Sequence, residues 1–119
     1  DVRDGINILV LGRVREDVIP QVADMALQAE GAEWSIAVGT VGRNLVFSVR
    51  NVGYVRAAGE VVRAVVDGLG VGGGHRSMAK GIIPLKAFRE LYGRADRNQI
   101  RSALYDAFVR AINDTGAES

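Results

Sequence analysis

Cysteine is absent from the 119 residues, histidine occurs once and proline twice. The missing thiols exclude a disulfide framework and any thiolate metal site. A zinc or dinuclear centre would have to rest on carboxylates and the lone imidazole of His75, and no carboxylate flanks that residue closely in sequence. Long hydrophobic runs are missing as well. None approaches the ~20 residues of a membrane span, and no signal-peptide layout is visible. Neither charge sign dominates, with 15 Lys and Arg against 14 Asp and Glu and a net charge of +1. A broad polyanion-binding surface carries a larger basic excess, so any nucleic-acid contact should be local. The G-x-S-x-G elbow, the Gly-Lys-Ser/Thr phosphate loop and a strand-borne dinucleotide fingerprint are all absent. The lack of cysteine fits a reducing cytoplasm, the expected location. The sequence begins on Asp1 rather than Met, which reads as a processed chain or as a piece of a longer one.

What is present suffices for one folded domain. Apolar residues make up 48% of the chain, and at this length about two-thirds of the unfolded surface is buried on folding. Residues 6–11 are apolar on both alternating faces and read as an interior strand. Arg13 and Arg15 follow, either in a solvated loop or at a phosphate. Residues 17–29 read as a helix with Val18, Val22, Met25, Ala26 and Ala29 inward, Asp24 on the wet face, Asp17 as N-cap and Gly31 as the stop. Residues 34–41 and 44–50 are β-rich and joined by Gly42-Arg43, the length of a hairpin turn. In the second run Leu45, Phe47 and Val49 share one face, and Asn44, Val46, Ser48 and Arg50 the other. A guanidinium on a partly buried sheet face needs an anion, so Arg50 either joins a carboxylate or makes a bidentate phosphate contact.

Residues 57–69 form the clearest helix, with Ala58, Val62, Val65 and Leu69 inward and Arg56, Glu60, Arg63 and Asp67 outward. Ile82-Ile83 reads as a short strand stopped by Pro84, and residues 86–92 as a helix ended by Gly93. Asp96 and Gln99 have capping-box spacing and open a last helix with Ile100, Leu104, Phe108 and Ala111 inward. The polar tail from Gly116 is expected to fray. The order β-α-β-β-α-β-α-α predicts a single α/β domain with a mixed sheet of about four to five strands packed with helices.

The chain is organised around Gly72-Gly73-Gly74-His75. Consecutive glycines cost backbone entropy and contribute no packing, so this stretch needs bare backbone. It reads as a turn between helix and strand, serving either as a concave nest for an anion or as a tight connection. In a turn with φ > 0, Gly73→Val would be disruptive. His75 is open to roles as acid/base, phosphate donor or satisfied turn residue.

Ser48-Val-Arg50, the Val/Ala-rich helix and Gly72-Gly-Gly-His75 with Ala79 and Gly81 behind it together resemble the DHH-associated C-terminal domain of DHH-family phosphoesterases. That family includes nanoRNase-type oligoribonucleases, RecJ-type exonucleases and cyclic-dinucleotide phosphodiesterases. The resemblance runs from the first strand to about residue 85. It implies that residues 1–119 are the substrate-binding domain of a longer chain. An N-terminal Asp-His-His domain would hold a metal pair, usually manganese, whose water attacks the phosphoester. This domain would bind no cofactor, carry no catalytic residue and be inactive alone. Gly72, Gly73, Gly74 and His75 would line a cleft against the terminal phosphate of an oligonucleotide or nucleotide. Arg50 would be a second anion contact, and Arg76 and Ser48 weaker ones. Met78-Ala79 stands where many relatives carry a small pair, which puts the packing behind the histidine in question. Met78-Ala79-Lys-Gly81 also resembles the C-terminal part of alanyl-tRNA synthetases, which would make this a tRNA-binding and dimerising module. A structural docking domain is the third reading, and an oligomer is compatible with each.

Overall fold

Alternating side chains and glycine punctuation set the elements of the computed structural model, which describes residues 2–53 and 56–114. They are β1 (Val2–Arg3), β2 (Ile6–Arg13), α1 (Val18–Ala26), β3 (Trp34–Val41), β4 (Asn44–Asn51), α2 (Ala58–Val66), β5 (Val71–Gly74), β6 (Met78–Pro84), α3 (Leu85–Tyr92) and α4 (Arg97–Asp114). The polar tail from Gly116 lies outside the described residues. One mixed sheet runs in the order β1-β2-β3-β4-β6-β5. β2 and β3 are parallel across the α1 crossover, and every other pair is antiparallel. The α/β class is as expected, but the sheet has six strands instead of four to five. The additions are β1, too short to show a period, and β5, built largely of glycine, which carries no strand propensity. The pair Ile82-Ile83 belongs to a strand that starts four residues earlier, at Met78.

Three helices cover one face of the sheet. Ile6, Ile8, Val10, Trp34, Ile36, Val38, Leu45, Phe47 and Val49 meet α2, α3 and α4 there in the main core. Phe47 and Phe108 pack edge to face at 5.9 Å, a favoured aromatic geometry. Gly81 admits the Phe47 ring, because a Cβ at that position would lie 2.2 Å from Phe47 Cζ. On the opposite face α1 packs alone on β2, β3 and β4, with Ile19, Ala23, Ala37 and Val46 as a second core.

The rotation of α1 differs from the predicted one. Ile19, Ala23 and Ala26 are buried, while Met25 is 69% exposed. Apolar residues occupy more than half of this helix's circumference, so the 3.6-residue period leaves its rotation open. Two polar sheet residues decide it. Asn7 Nδ2 donates to Ala26 O at 3.0 Å, and Ser35 Oγ to Ala23 O at 2.6 Å, each as a second bond to a carbonyl that also accepts a backbone N–H. Asp17 sits at the N-cap without a capping bond, its carboxylate paired to Arg15 at 3.0 Å. At α4, Gln99 N–H donates to Asp96 Oδ1 at 2.9 Å as expected. The Gln99 amide goes instead to Tyr92 O at 3.0 Å, tying α3 to α4.

Candidate functional site

The glycine segment is a strand and not a turn. Gly72, Gly73 and Gly74 pair with Gly81, Lys80 and Ala79 as the edge strand β5, and none of the three has a positive φ. An anion nest needs a left-handed residue, so none forms here. The bare backbone serves close packing. A Cβ on Gly72 would lie 2.7 Å from Val62 Cγ1 of α2, and one on Gly74 would lie 2.3 Å from Met78 O. Gly59 of α2 completes the contact, since its Cβ would stand 2.5 Å from Gly74 O. Gly73 is different: the nearest atom to a Cβ there is Arg63 Nη1, at an ordinary 3.6 Å. Gly73→Val thus meets neither the positive φ nor the crowding expected of a turn.

His75 and Arg76 lie on the short connection between β5 and β6, both exposed. Their backbone is fixed. His75 N–H donates to Met78 O at 2.7 Å, and the His75 and Arg76 carbonyls accept from Gly59 N–H and Ala58 N–H at 2.8 Å each. The first turn of α2 is capped by this hairpin, in place of a side chain. Its N–H groups at Ala58 and Gly59 are therefore spent on protein carbonyls and not offered to a ligand.

Beyond α1, the same face of the sheet is bare among the described residues. Ser48, Lys80 and Gly73 align in one row across β4, β6 and β5, and Arg50 and Met78 in the next. These five residues, with Val46, Pro20 and Glu16, line a groove of about 580 Å³. The strand period places Ser48, Arg50 and Gly73 on this face, and Gly74 lines the edge of the groove through its backbone; His75 and Arg76, on the connection that follows, are not among the lining residues. Gly72 turns to the opposite face. Arg50 is 8% exposed; its Nε donates to Asp24 Oδ1 at 2.6 Å and its Nη1 to Val49 O at 3.1 Å. Lys80 pairs with Glu16. Lys80, Glu16 and Asp24 were not singled out by sequence reasoning; extending β6 back to Met78 with period two would have put Lys80 beside Ser48. Arg13 and Arg15 are outside the groove lining and engaged by Gly42 O and Asp17.

Two larger concavities, about 970 and 660 Å³, lie against α4 and contain none of the expected residues. In the second, Arg3 stacks on Tyr105 at 4.9 Å, and the hydrogen bond to Asp4 holds the Tyr105 pKa above its ordinary value. No group of three or more His, Asp or Glu among the described residues is placed to hold a metal ion, and no described helix is long and apolar enough to cross a membrane.

No protein-family model matches the sequence, and no curated protein does. Solved structures match the fold. The C-Ala domain of Aquifex aeolicus alanyl-tRNA synthetase superposes with a TM-score of 0.58 and 24% identity, over 76% of this chain and 91% of that domain. RecJ from Thermus thermophilus in complex with Mg2+ gives a TM-score of 0.58 and 18% identity, over 90% of this chain and 14% of RecJ. Its Mn2+ complex gives 0.53 and 15%, over 92% and 19%. The RecJ-type likeness read from the glycine-histidine motif therefore holds for the fold, and the synthetase domain shares that fold equally well. The chain spans less than a fifth of the RecJ chains it matches.

Proposed function

We propose that this chain, built on the fold common to the RecJ and C-Ala structures, is the phosphate-binding domain of a DHH-type phosphoesterase acting on short oligonucleotides or nucleotide phosphates. The observation that carries the reading is the bare groove over β4, β6 and β5. It gathers Arg50, Ser48 and Lys80 around Gly73 and reaches Gly74, the residue before His75. Gly73 is the glycine of the run that packing does not require, as expected where a ligand approaches backbone closely. The groove offers guanidinium and ammonium donors to an anion, and His75 and Arg76 are exposed on the connection that follows Gly74. Chemistry would come from a companion Asp-His-His domain holding a manganese pair, in a cytoplasmic protein, with this domain supplying affinity and orientation.

A second reading, a tRNA-binding module of the alanyl-tRNA synthetase kind, is favoured by the 24% identity over nearly the whole C-Ala domain. Both readings use the groove for phosphate, and one titration separates them. NMR spectra of the chain are recorded with a short oligoribonucleotide, with 3′-phosphoadenosine 5′-phosphate and with a tRNA, at low and moderate salt. The phosphoesterase reading expects shifts at Ser48, Arg50, residues 73–76 and Lys80, lost in His75→Ala, with Kd on the order of micromolar to millimolar. Shifts with tRNA alone support the second reading. Spectra unchanged at millimolar concentrations of every ligand overturn both.

A further inference from the structure

We propose that Asp24 and Glu16 are internal counter-ions that occupy the groove's cations until a ligand displaces them. The groove then selects a terminal phosphomonoester over an internal phosphodiester. This deepens the phosphate-binding reading above and rests on it. Both cations lining the groove, Arg50 and Lys80, are already paired, to Asp24 and Glu16. The Arg50–Asp24 pair is lopsided. The arginine side chain is 10% exposed and the aspartate 65%. The guanidinium is held in place by the sheet and by Val49 O, whereas the carboxylate can swing into water and be solvated at once. Lys80 and Glu16 are 51% and 48% exposed, so that pair exchanges freely.

A guanidinium binds phosphate best through two parallel N–H groups. Asp24 holds the Nε side of that fork, so a bidentate contact on this side requires Asp24 to leave. Releasing both carboxylates removes two negative charges from the groove. A phosphomonoester returns about −1.5 to −2 near neutral pH, which restores the balance. A diester returns a single charge and leaves one cation uncompensated.

The test compares two dinucleotides that differ only in a terminal phosphate, pApA and ApA, titrated against wild type, Asp24→Asn, Glu16→Gln and Glu30→Gln. Glu30 is an exposed carboxylate outside the groove, so its variant reports the general effect of one added charge. Asn keeps the size of Asp24 and an acceptor for Arg50. The Glu16 variant alters a half-exposed pair, of a kind that contributes little to stability, so it reads the same effect if Asp24→Asn unfolds. The expected result is tighter pApA than ApA binding in wild type. In Asp24→Asn and Glu16→Gln, ApA affinity should rise roughly threefold to tenfold and the preference for pApA should shrink. Glu30→Gln should leave that preference as it is. Wild-type binding with a preference unmoved by either groove variant overturns the counter-ion role and leaves the phosphate reading standing, as does an equal change in Glu30→Gln. No binding of either dinucleotide by any of the four proteins overturns both.

Discussion

Gly59, Gly72, Gly73 and Gly74 sit within one small region and answer to two different demands. Gly59, Gly72 and Gly74 let α2 and β6 approach β5 to distances that no Cβ tolerates. Gly59→Ala and Gly74→Ala should each destabilise the fold by roughly 1–3 kcal/mol, the usual cost of overpacking, read as a lowered denaturant midpoint. Gly73→Ala makes only an ordinary contact with Arg63 and should stay within about 0.5 kcal/mol of wild type, while weakening ligand binding where the small residue admits phosphate. Tyr105 makes a pH-dependent contribution. Its hydrogen bond to Asp4 raises its pKa above 10.0 in the folded state, so the folded chain holds the phenolic proton more tightly than the unfolded chain. That stabilisation is complete below the unfolded value of about 10 and is lost as the pH rises through the raised folded value. Tyr105→Phe removes it. The stability gap between wild type and variant should therefore close as denaturant melts are repeated at increasing pH above about 10.

At the scale of elements, the β5–β6 connection does structural work through its backbone alone. The His75 and Arg76 carbonyls cap α2, and their exposed side chains are free for other uses. His75→Ala should therefore keep the wild-type unfolding midpoint and lose the ligand-induced shifts, a separation that thermal melts and NMR titration read together. The α3–α4 junction shows the opposite arrangement, with side chains carrying the structure. Asp96→Ala removes the acceptor at the start of α4 and should cost about 1 kcal/mol. Both helices were legible from periodicity and from the Asp96–Gln99 spacing. The rotation of α1 was not, because Asn7 and Ser35, distant in sequence, choose the face that α1 presents.

For the whole molecule, the uneven covering of the sheet matters most. Three helices fill one face and a single helix half-fills the other, which leaves β4, β6 and β5 open as a groove. The filled face carries the stability: Phe108→Ala, which removes the partner of Phe47, should cost about 3–5 kcal/mol in a chemical unfolding experiment. Arg50 belongs to the open face. Composition, strand alternation and glycine placement determined the α/β class, most helices and strands, and the separation of Ser48 and Arg50 from Leu45, Phe47 and Val49. These are local properties, written in period and propensity. Tertiary structure alone decided that the glycines form an edge strand, that Gly73 stands apart from its neighbours, and that Asp24 and Glu16 are the carboxylates facing Arg50 and Lys80. Glycine has no side chain to declare its face, and an ion pair that joins residues 26 or 64 positions apart leaves no periodic trace in the chain.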